Sequence, residues 1–127
     1  LPMNPPTTPV LDHCNEVRLI GRVAAEPVVM VLPSGDEVVT ARLVVERPRP
    51  AAGRGRKAAV DTVSCSAWSA VLRRRIRIWN PGDVVEVTGA LRRRFWRGEN
   101  GPRSRYDVEV ATASRLARGP VPGVTSR

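Results

Sequence analysis

The 127-residue sequence contains few aromatic residues, two cysteines and one histidine. Cys14 and Cys65 are too few for a disulfide framework, and no second cysteine pair or histidine cluster accompanies them to form a zinc site. No run of about 18 apolar residues occurs, which excludes a membrane-spanning helix. We therefore predict a reduced, cytosolic protein with no metal, no cofactor and no membrane partner.

Catalytic motifs are also missing. Gly53–Lys57 has neither the spacing nor the terminal Ser or Thr of a phosphate-binding loop. His13 lies outside the patterned part of the chain, so a Ser/His or Cys/His nucleophile pair has no obvious place. The carboxylates of Asp61, Asp83 and Glu86 are scattered among predicted strands rather than clustered as metal ligands. We predict no catalytic residues and a protein that is not an enzyme.

Positive charge, by contrast, is abundant. The chain has 21 Lys and Arg against 12 Asp and Glu, which gives a formal net charge of +9. Such a balance indicates a polyanionic partner, with nucleic acid first and an anionic membrane surface second. The length and a hydrophobic fraction of 42% are those of one globular domain.

The two ends of the chain differ in composition from the middle. Residues 1–14 are rich in Pro and Thr and are predicted as a flexible leader, without the basic-then-apolar order of a secretory signal. Residues 117–127 contain two Gly and two Pro and are predicted as a tail. Pro48–Lys57 is a basic loop rich in Gly and Pro. The domain between the two ends is predicted at residues 15–116.

The middle of the chain alternates between apolar and polar residues, which is typical of half-buried strands. One segment changes period: Leu72, Ile76 and Trp79 have the spacing of a short helix that Asn80-Pro81-Gly82 ends. This order, with the helix between the third and fourth strands, matches the all-β OB-fold, a five-stranded Greek-key barrel. The strands are predicted at Glu16–Val23, Val39–Glu46, Ala59–Trp68, Asp83–Trp96 and Tyr106–Val110.

Five segments in register resemble the bacterial single-stranded DNA-binding proteins. They are Asn15–Pro27, Leu32–Gly35, Asp61–Trp68, Gly82–Arg94 and Tyr106–Val110. The resemblance covers residues 15–116. It implies an OB barrel that assembles as a homotetramer and binds single-stranded DNA with little sequence preference. Proteins of this kind protect single strands in replication, recombination or repair.

The residues for such binding are cationic side chains beside aromatic rings, because a single strand exposes both phosphates and flat bases. Arg92–Arg97 interleaves the two kinds, and by alternation Arg92, Arg94 and Trp96 share the face opposite Leu91. Trp79 and Phe95 are predicted to pack in the core, and Arg73–Arg75 to form a solvated helix face. The candidate DNA-binding residues are Trp68, Trp96, Arg92, Arg94, Arg97, Arg49, Arg54, Arg56 and Lys57.

The sequence departs from the family pattern at two places. Two positions that the resemblance implies for stacking hold Arg49 and Thr62, which have no aromatic ring, so we expect binding to depend more on charge. Pro120–Arg127 is not an acidic tail with a hydrophobic tip, so recruitment of repair enzymes by that route is not expected. Two alternatives stay open: an RNA-binding OB module, and a dimeric OB interaction protein similar to the primosomal one.

Overall fold

The computed structural model describes residues 11–48 and 59–120, which form six strands and one helix. The elements are β1 (Val17–Val23), β2 (Val28–Val31), β3 (Glu37–Glu46), β4 (Val60–Ala67), α1 (Ala70–Arg77), β5 (Val84–Gly98) and β6 (Gly101–Ala117).

The strands form one sheet in the order β1-β5-β6-β4-β3-β2. A further antiparallel pairing joins β1 to β3 through Arg22 with Val44 and Val23 with Leu43, and this pairing closes five of the strands into a barrel. All pairings are antiparallel except the short one between β4 and β6. The predicted five-stranded barrel, with a helix between its third and fourth strands, is confirmed.

The short strand β2 was not predicted. It forms a hairpin with β3, from Val28 opposite Thr40 to Val31 opposite Glu37. The turn between them is closed by the Gly35 N–H, which donates to the Leu32 carbonyl at 2.8 Å. All four residues of β2 are apolar and all four are exposed, so the segment lacks the alternation from which the other strands were identified.

The interior of the barrel is formed by small and medium-sized apolar side chains. Leu43, Cys65, Val85 and Val87 have no exposed surface, and Val108 retains only 1%. Cys65 is therefore one of the small residues of the core. Burial of side chains of this size contributes roughly 1.5–3 kcal/mol each to the stability of the barrel.

β6 contains two irregularities that change which residues face inward. Its register against β5 shifts between Val84 and Val85 and again between Thr88 and Gly89. As a result Val110 and Ala113, three residues apart, are both buried. Gly89 is required at the second shift because a Cβ there would lie 2.0 Å from the Glu109 carbonyl oxygen.

Helix α1 seals one end of the barrel. Its N-cap is Ser69, whose hydroxyl accepts a hydrogen bond from the Leu72 N–H, and Ile76 is fully buried. The prediction placed Trp79 on this helix, but the helix ends at Arg77. Trp79 lies beyond the C-cap, its N–H bonds to the Ile76 carbonyl, and it is 2% exposed, so its core packing is confirmed. No helix within the described ranges is long and apolar enough to cross a bilayer.

Candidate nucleic-acid interface

β5 and β6 extend beyond the barrel as a two-stranded ribbon. On the β5 side the last residue paired with β1 is Gly89, and on the β6 side the pairing with β4 is limited to Val108 and Glu109. Within the described ranges, the pairs from Arg92–Asp107 to Gly98–Gly101 have no third strand beside them. Gly98–Gly101 forms the hairpin tip, as predicted. We call residues 92–107 the arm.

The composition of the arm differs from that of the barrel. Its 16 residues include six arginines and only two carboxylates, Glu99 and Asp107. Three of the five aromatic residues of the chain, Phe95, Trp96 and Tyr106, also lie here. Positive charge and aromatic rings are therefore concentrated on an element that has solvent on both faces.

One face of the arm, the front face, continues the outer surface of the barrel. It contains Arg92, Arg94 and Trp96 on β5, opposite Asp107, Arg105 and Arg103 on β6. The Trp96 ring is 46% exposed, and the Arg105 guanidinium carbon lies 5.7 Å from its centroid. The shared face predicted for the three β5 residues is thus present, and one side of the Trp96 ring is in contact with a cation.

Between the front face and the β2–β4 side of the barrel lies a groove of about 460 Å³. Trp68, directly after β4, lines the groove opposite Arg94, whose guanidinium carbon is 5.3 Å from the Trp68 ring centroid. Trp68 is half-buried, and its indole N–H has no hydrogen-bond partner among the described residues. Trp68, Trp96 and Arg94, which are far apart in sequence, are brought together on one concave surface.

Two carboxylates lie next to the arginines of the front face. Arg94 forms ion pairs with Asp107 and Glu109, each at 3.2 Å, and Arg92 pairs with Glu109 at 3.3 Å. Asp107 is 2% exposed and also accepts a hydrogen bond from the Ser66 hydroxyl. These carboxylates are not evident from the sequence, because Asp107 and Glu109 occupy ordinary polar positions of an alternating strand.

A second groove of about 320 Å³ continues the first along β2 and β3. The two share Met30, Thr40 and Arg105, and the second adds Arg42 from β3 and Ser64 from β4. Met30 is 50% exposed, so an aliphatic side chain forms part of the floor. The concave surface is therefore longer than the predicted aromatic and cationic cluster, and it includes residues that sequence reasoning missed.

The opposite face of the arm, the back face, contains Arg93, Phe95 and Arg97 opposite Tyr106, Ser104 and Pro102. The prediction that Phe95 packs in the core is wrong, since it is 71% exposed. Alternation assigned the side of the strand correctly, but the barrel ends before Phe95, and no core lies beneath it among the residues that the structure describes. Arg97, predicted as a DNA contact, lies on this face rather than beside Trp96.

Four predicted cationic residues, Arg49, Arg54, Arg56 and Lys57, lie outside the described residues. The described ends of the loop that contains them are joined by Arg47, whose N–H donates to the Ala59 carbonyl at 2.9 Å. The Arg47 side chain also pairs with Asp61 at 2.7 Å, and its hydrogen bonds hold the pKa of the Asp61 carboxyl below its ordinary value. The loop therefore begins and ends on the barrel surface at β3 and β4. Thr62 is exposed on β4.

The arginines of α1 have a structural use. The Arg73 guanidinium donates to the carbonyls of Glu37 and Trp68 at 3.0 and 3.1 Å, and Arg75 donates to the carbonyl of Ala113 at 3.1 Å. Arg73 and Arg75 thus attach the helix to the barrel, while Arg74 and Arg75 are both exposed, as expected of a solvated helix face.

No group of three or more His, Cys, Asp or Glu side chains that could hold a metal ion occurs within residues 11–48 and 59–120. Burial, together with the charge of Asp107, raises the pKa of the Cys65 thiol to about 12, so this thiol is protonated at neutral pH and is a poor nucleophile.

Comparison with known proteins agrees with this geometry. Residues 14–116 match the model of the single-strand binding protein family. Single-stranded DNA-binding protein 3 of Listeria innocua is 30% identical over 100 residues, which are 79% of this chain and 61% of that protein. The single-stranded DNA-binding protein of Oceanobacillus iheyensis is 28% identical over 79% of this chain and 60% of its own length. The chain thus spans about three fifths of these relatives.

A solved structure has the same fold. The Plasmodium falciparum SSB in complex with ssDNA superposes with a TM-score of 0.67 at 22% sequence identity, and the match covers 85% of this chain and 97% of that one. The OB-fold predicted from the order of the elements is thereby confirmed.

Proposed function

Because the chain belongs to the single-strand binding protein family, we propose that it binds single-stranded DNA in the groove between the arm and the β2–β4 side of the barrel. The observation that carries this proposal is the convergence of Trp68, Trp96 and Arg94 on one open concave surface. Rings and guanidinium groups are the two kinds of partner that a flexible single strand requires.

In this proposal the bases stack on the tryptophans. Stacking of a base on an aromatic side chain contributes about 1–3 kcal/mol and tolerates any sequence, because every base has a π-face. Trp96 is exposed enough to receive a base directly, whereas the half-buried Trp68 offers less of its ring. Binding therefore discriminates little between sequences.

Arginines hold the phosphates in the same proposal. Arg92, Arg94 and Arg105 on the front face, with Arg42 on β3, border the two continuous grooves or lie next to them. We include the predicted loop residues Arg49, Arg54, Arg56 and Lys57 because the loop starts and ends on the outer surface of β3 and β4. The net charge of +9 adds a long-range attraction to the phosphate chain.

We further propose that the protein acts in the bacterial cytoplasm, at the nucleoid, as a homotetramer that covers transient single strands during replication, recombination or repair. The family match supports this role. Self-association is supported by β2, an edge strand whose four apolar residues are all exposed in the isolated chain.

The stacking part of the proposal is tested with Trp96→Ala. We expect the Kd for fluorescein-labelled oligo-dT, measured by anisotropy, to rise by about 5- to 150-fold, which corresponds to about 1–3 kcal/mol. The matched control is Trp79→Phe, which replaces the buried tryptophan and should bind like the unmodified protein. Wild-type affinity in Trp96→Ala would show that the groove is not the binding site.

The same titration at several salt concentrations tests the role of charge. The logarithm of the binding constant should fall with the logarithm of the salt concentration by about 0.7 for each phosphate that is neutralised.

Competition by oligo-rU tests the RNA-binding alternative. Stronger displacement of the labelled oligo-dT by oligo-rU than by unlabelled oligo-dT would mean that the natural ligand is RNA.

A further inference from the structure

We propose that the back face of the arm is a second contact surface for single-stranded DNA. The DNA would leave the front groove and continue round the arm. The proposal rests on the proposed function, because it assumes that the front groove holds single-stranded DNA. Its residues are Arg93, Phe95 and Arg97 on β5 and Ser104 and Tyr106 on β6.

The aromatic rings of the back face are available to a ligand. Phe95 is 71% exposed and Tyr106 is 59% exposed, and no strand or helix covers them within the described part of the chain. The Arg93 guanidinium carbon lies 5.0 Å from the Phe95 ring centroid and 5.5 Å from that of Tyr106. Arg93 thus contacts two rings on this face in the way that Arg105 contacts the one ring of Trp96 on the front face.

The positive charge of the back face is not offset by carboxylates. Arg93 donates to the Ser104 hydroxyl at 3.1 Å, and within the described residues neither Arg93 nor Arg97 pairs with an acidic side chain. On the front face, by contrast, Arg92 and Arg94 share the carboxylates of Asp107 and Glu109. The back face is thus more available for phosphate than the face on which the tryptophans lie.

The two faces are close enough for one strand to reach both. Phe95 belongs to the back face by register but also borders the front groove. Neighbouring strands are only about 5 Å apart, so a ligand that crosses the edge of a two-stranded ribbon has a short distance to travel. Single-stranded DNA that lies on Trp96 can therefore continue over the Phe95 ring and stay in contact with aromatic side chains.

A second copy of the chain fits this face less well. An isologous contact would place Arg93 and Arg97 of one copy near the same residues of the other, and like charges in an interface are repulsive. A polyanion meets the same side chains with favourable charge. The exposed rings and unpaired cations together indicate a nucleic acid as the occupant.

The test compares a double variant, Arg97→Ser with Tyr106→Ser, with the unmodified protein and with Ile78→Ser, because neither Arg97 nor Tyr106 lines the front groove. Ile78 is 61% exposed at the end of α1, so its replacement controls for the loss of exposed apolar surface elsewhere. Binding is measured by anisotropy with oligo-dT of about 4 and about 16 nucleotides, the range of site sizes of OB-folds. Light scattering without DNA reports the oligomeric state, and circular dichroism reports folding.

For the longer oligonucleotide we expect the double variant to lose at least about fivefold in affinity, because one stacking ring and one cation for a phosphate are removed. For the shorter one we expect a change below about twofold, because it fills the groove alone. Unchanged binding of the longer oligonucleotide would overturn the inference. So would a lower mass without DNA together with unchanged binding, since the face would then be an interface between copies.

Trp96→Ala, measured in parallel, separates the two proposals. If Trp96→Ala weakens binding and the double variant does not, the back-face inference fails and the proposed function stands. If the unmodified protein does not bind oligo-dT, both fail.

Discussion

Arg94 has three partners of different chemistry: the ring of Trp68 and the carboxylates of Asp107 and Glu109. These contacts fix the guanidinium in the groove, at the place where we propose that DNA binds. The two carboxylates also neutralise part of the positive charge of Arg94 before a phosphate binds. The two effects oppose each other, because a fixed cation loses less entropy on binding while a paired cation attracts phosphate less strongly.

Glu109→Gln separates the two effects. The change keeps the shape of the side chain but removes the negative charge shared by Arg92 and Arg94. We expect oligo-dT to bind more tightly at low salt, by up to about fivefold, since exposed ion pairs are worth about 0.2–1 kcal/mol. Fluorescence anisotropy at low and moderate salt measures the change, which should shrink as salt increases.

The control for this variant is Glu86→Gln. Glu86 lies on the same strand and pairs with Arg18, but it is about 20 Å from Arg92 along β5 at the usual rise per residue. Glu86→Gln should leave the affinity for oligo-dT nearly unchanged. Weaker binding by Glu109→Gln would mean that positioning of Arg92 and Arg94 matters more than their available charge.

For individual residues, the sequence predicts the arginines and tryptophans of the site but not the carboxylates with which the arginines pair. The shared face of Arg92, Arg94 and Trp96 follows from the period of a strand. The pairing with Asp107 and Glu109 does not, because it depends on the register between two strands. Phe95 was assigned to the core because alternation shows which side a residue faces and not whether anything covers that side.

Among the elements, the junction between α1 and β5 is held by one carboxylate. Asp83 is 1% exposed and accepts hydrogen bonds from the N–H groups of Asn80 and Gly119, at 2.9 and 2.7 Å, and from the Arg115 guanidinium at 3.2 Å. It therefore joins the end of the helix, the start of β5 and the segment after β6. That segment, Arg118–Pro120, belongs to the predicted tail, but its first residues are attached to the barrel.

The ionisation of Asp83 links this junction to pH. Burial alone would raise the pKa of its carboxyl, but the hydrogen bonds from Asn80 and Gly119 and the charge of Arg115 outweigh burial and hold the pKa below the ordinary value of 3.8. A carboxyl with a depressed pKa stabilises the folded state above its ordinary pKa, and this contribution is lost as pH falls through the folded-state value.

We expect Asp83→Ala to lower the free energy of unfolding at pH 7 by about 1.5–3 kcal/mol, the range for hydrogen bonds to a charged group. The difference from the unmodified protein should shrink below about pH 4, where Asp83 becomes protonated in the unfolded state. Urea denaturation at a series of pH values measures it. Glu26→Ala, at an exposed position, should show a small difference throughout. A constant difference down to pH 2 would show that the charge of Asp83 does not stabilise the junction.

Some elements are easier to predict than others. The five barrel strands and the helix follow from period and turn residues, since each buries one face. The exceptions are the short β2, which is exposed along its whole length, and the far end of β6, where two register shifts interrupt alternation. The helix boundary was misplaced because Trp79 is buried without being helical, and a single period does not distinguish the two cases.

Across the whole molecule, one unpaired edge supports the proposed self-association. The outer edge of β2 has no neighbour among the described residues, and Val28, Val29, Met30 and Val31 are 46–64% exposed. Exposed apolar edge strands are unfavourable unless another chain covers them. This is the physical reason for expecting several copies in one particle.

We expect light scattering at micromolar concentration to give a mass about four times that of the 13.9 kDa chain. Replacement of Val29 and Val31 by Lys should lower that mass if β2 takes part in the contact, because buried charge is unfavourable without a partner. A mass of two chains, together with weak oligo-dT binding, would favour the alternative of a dimeric OB interaction protein. A single-chain mass would contradict self-association.

The distance that the arm extends from the barrel depends on the number of residues in its two strands. Because no third strand of the described part of the chain pairs with the arm from Arg92 to Asp107, it can be lengthened at the Glu99-Asn100 turn with little effect on the barrel. Each residue added to both strands extends it by about 3.4 Å. Insertions between the barrel and Arg92 have a different effect, which depends on whether the number of residues added to each strand is odd or even. One residue added to each strand there would exchange the faces and turn Trp96 away from the groove, whereas two would restore the original sides.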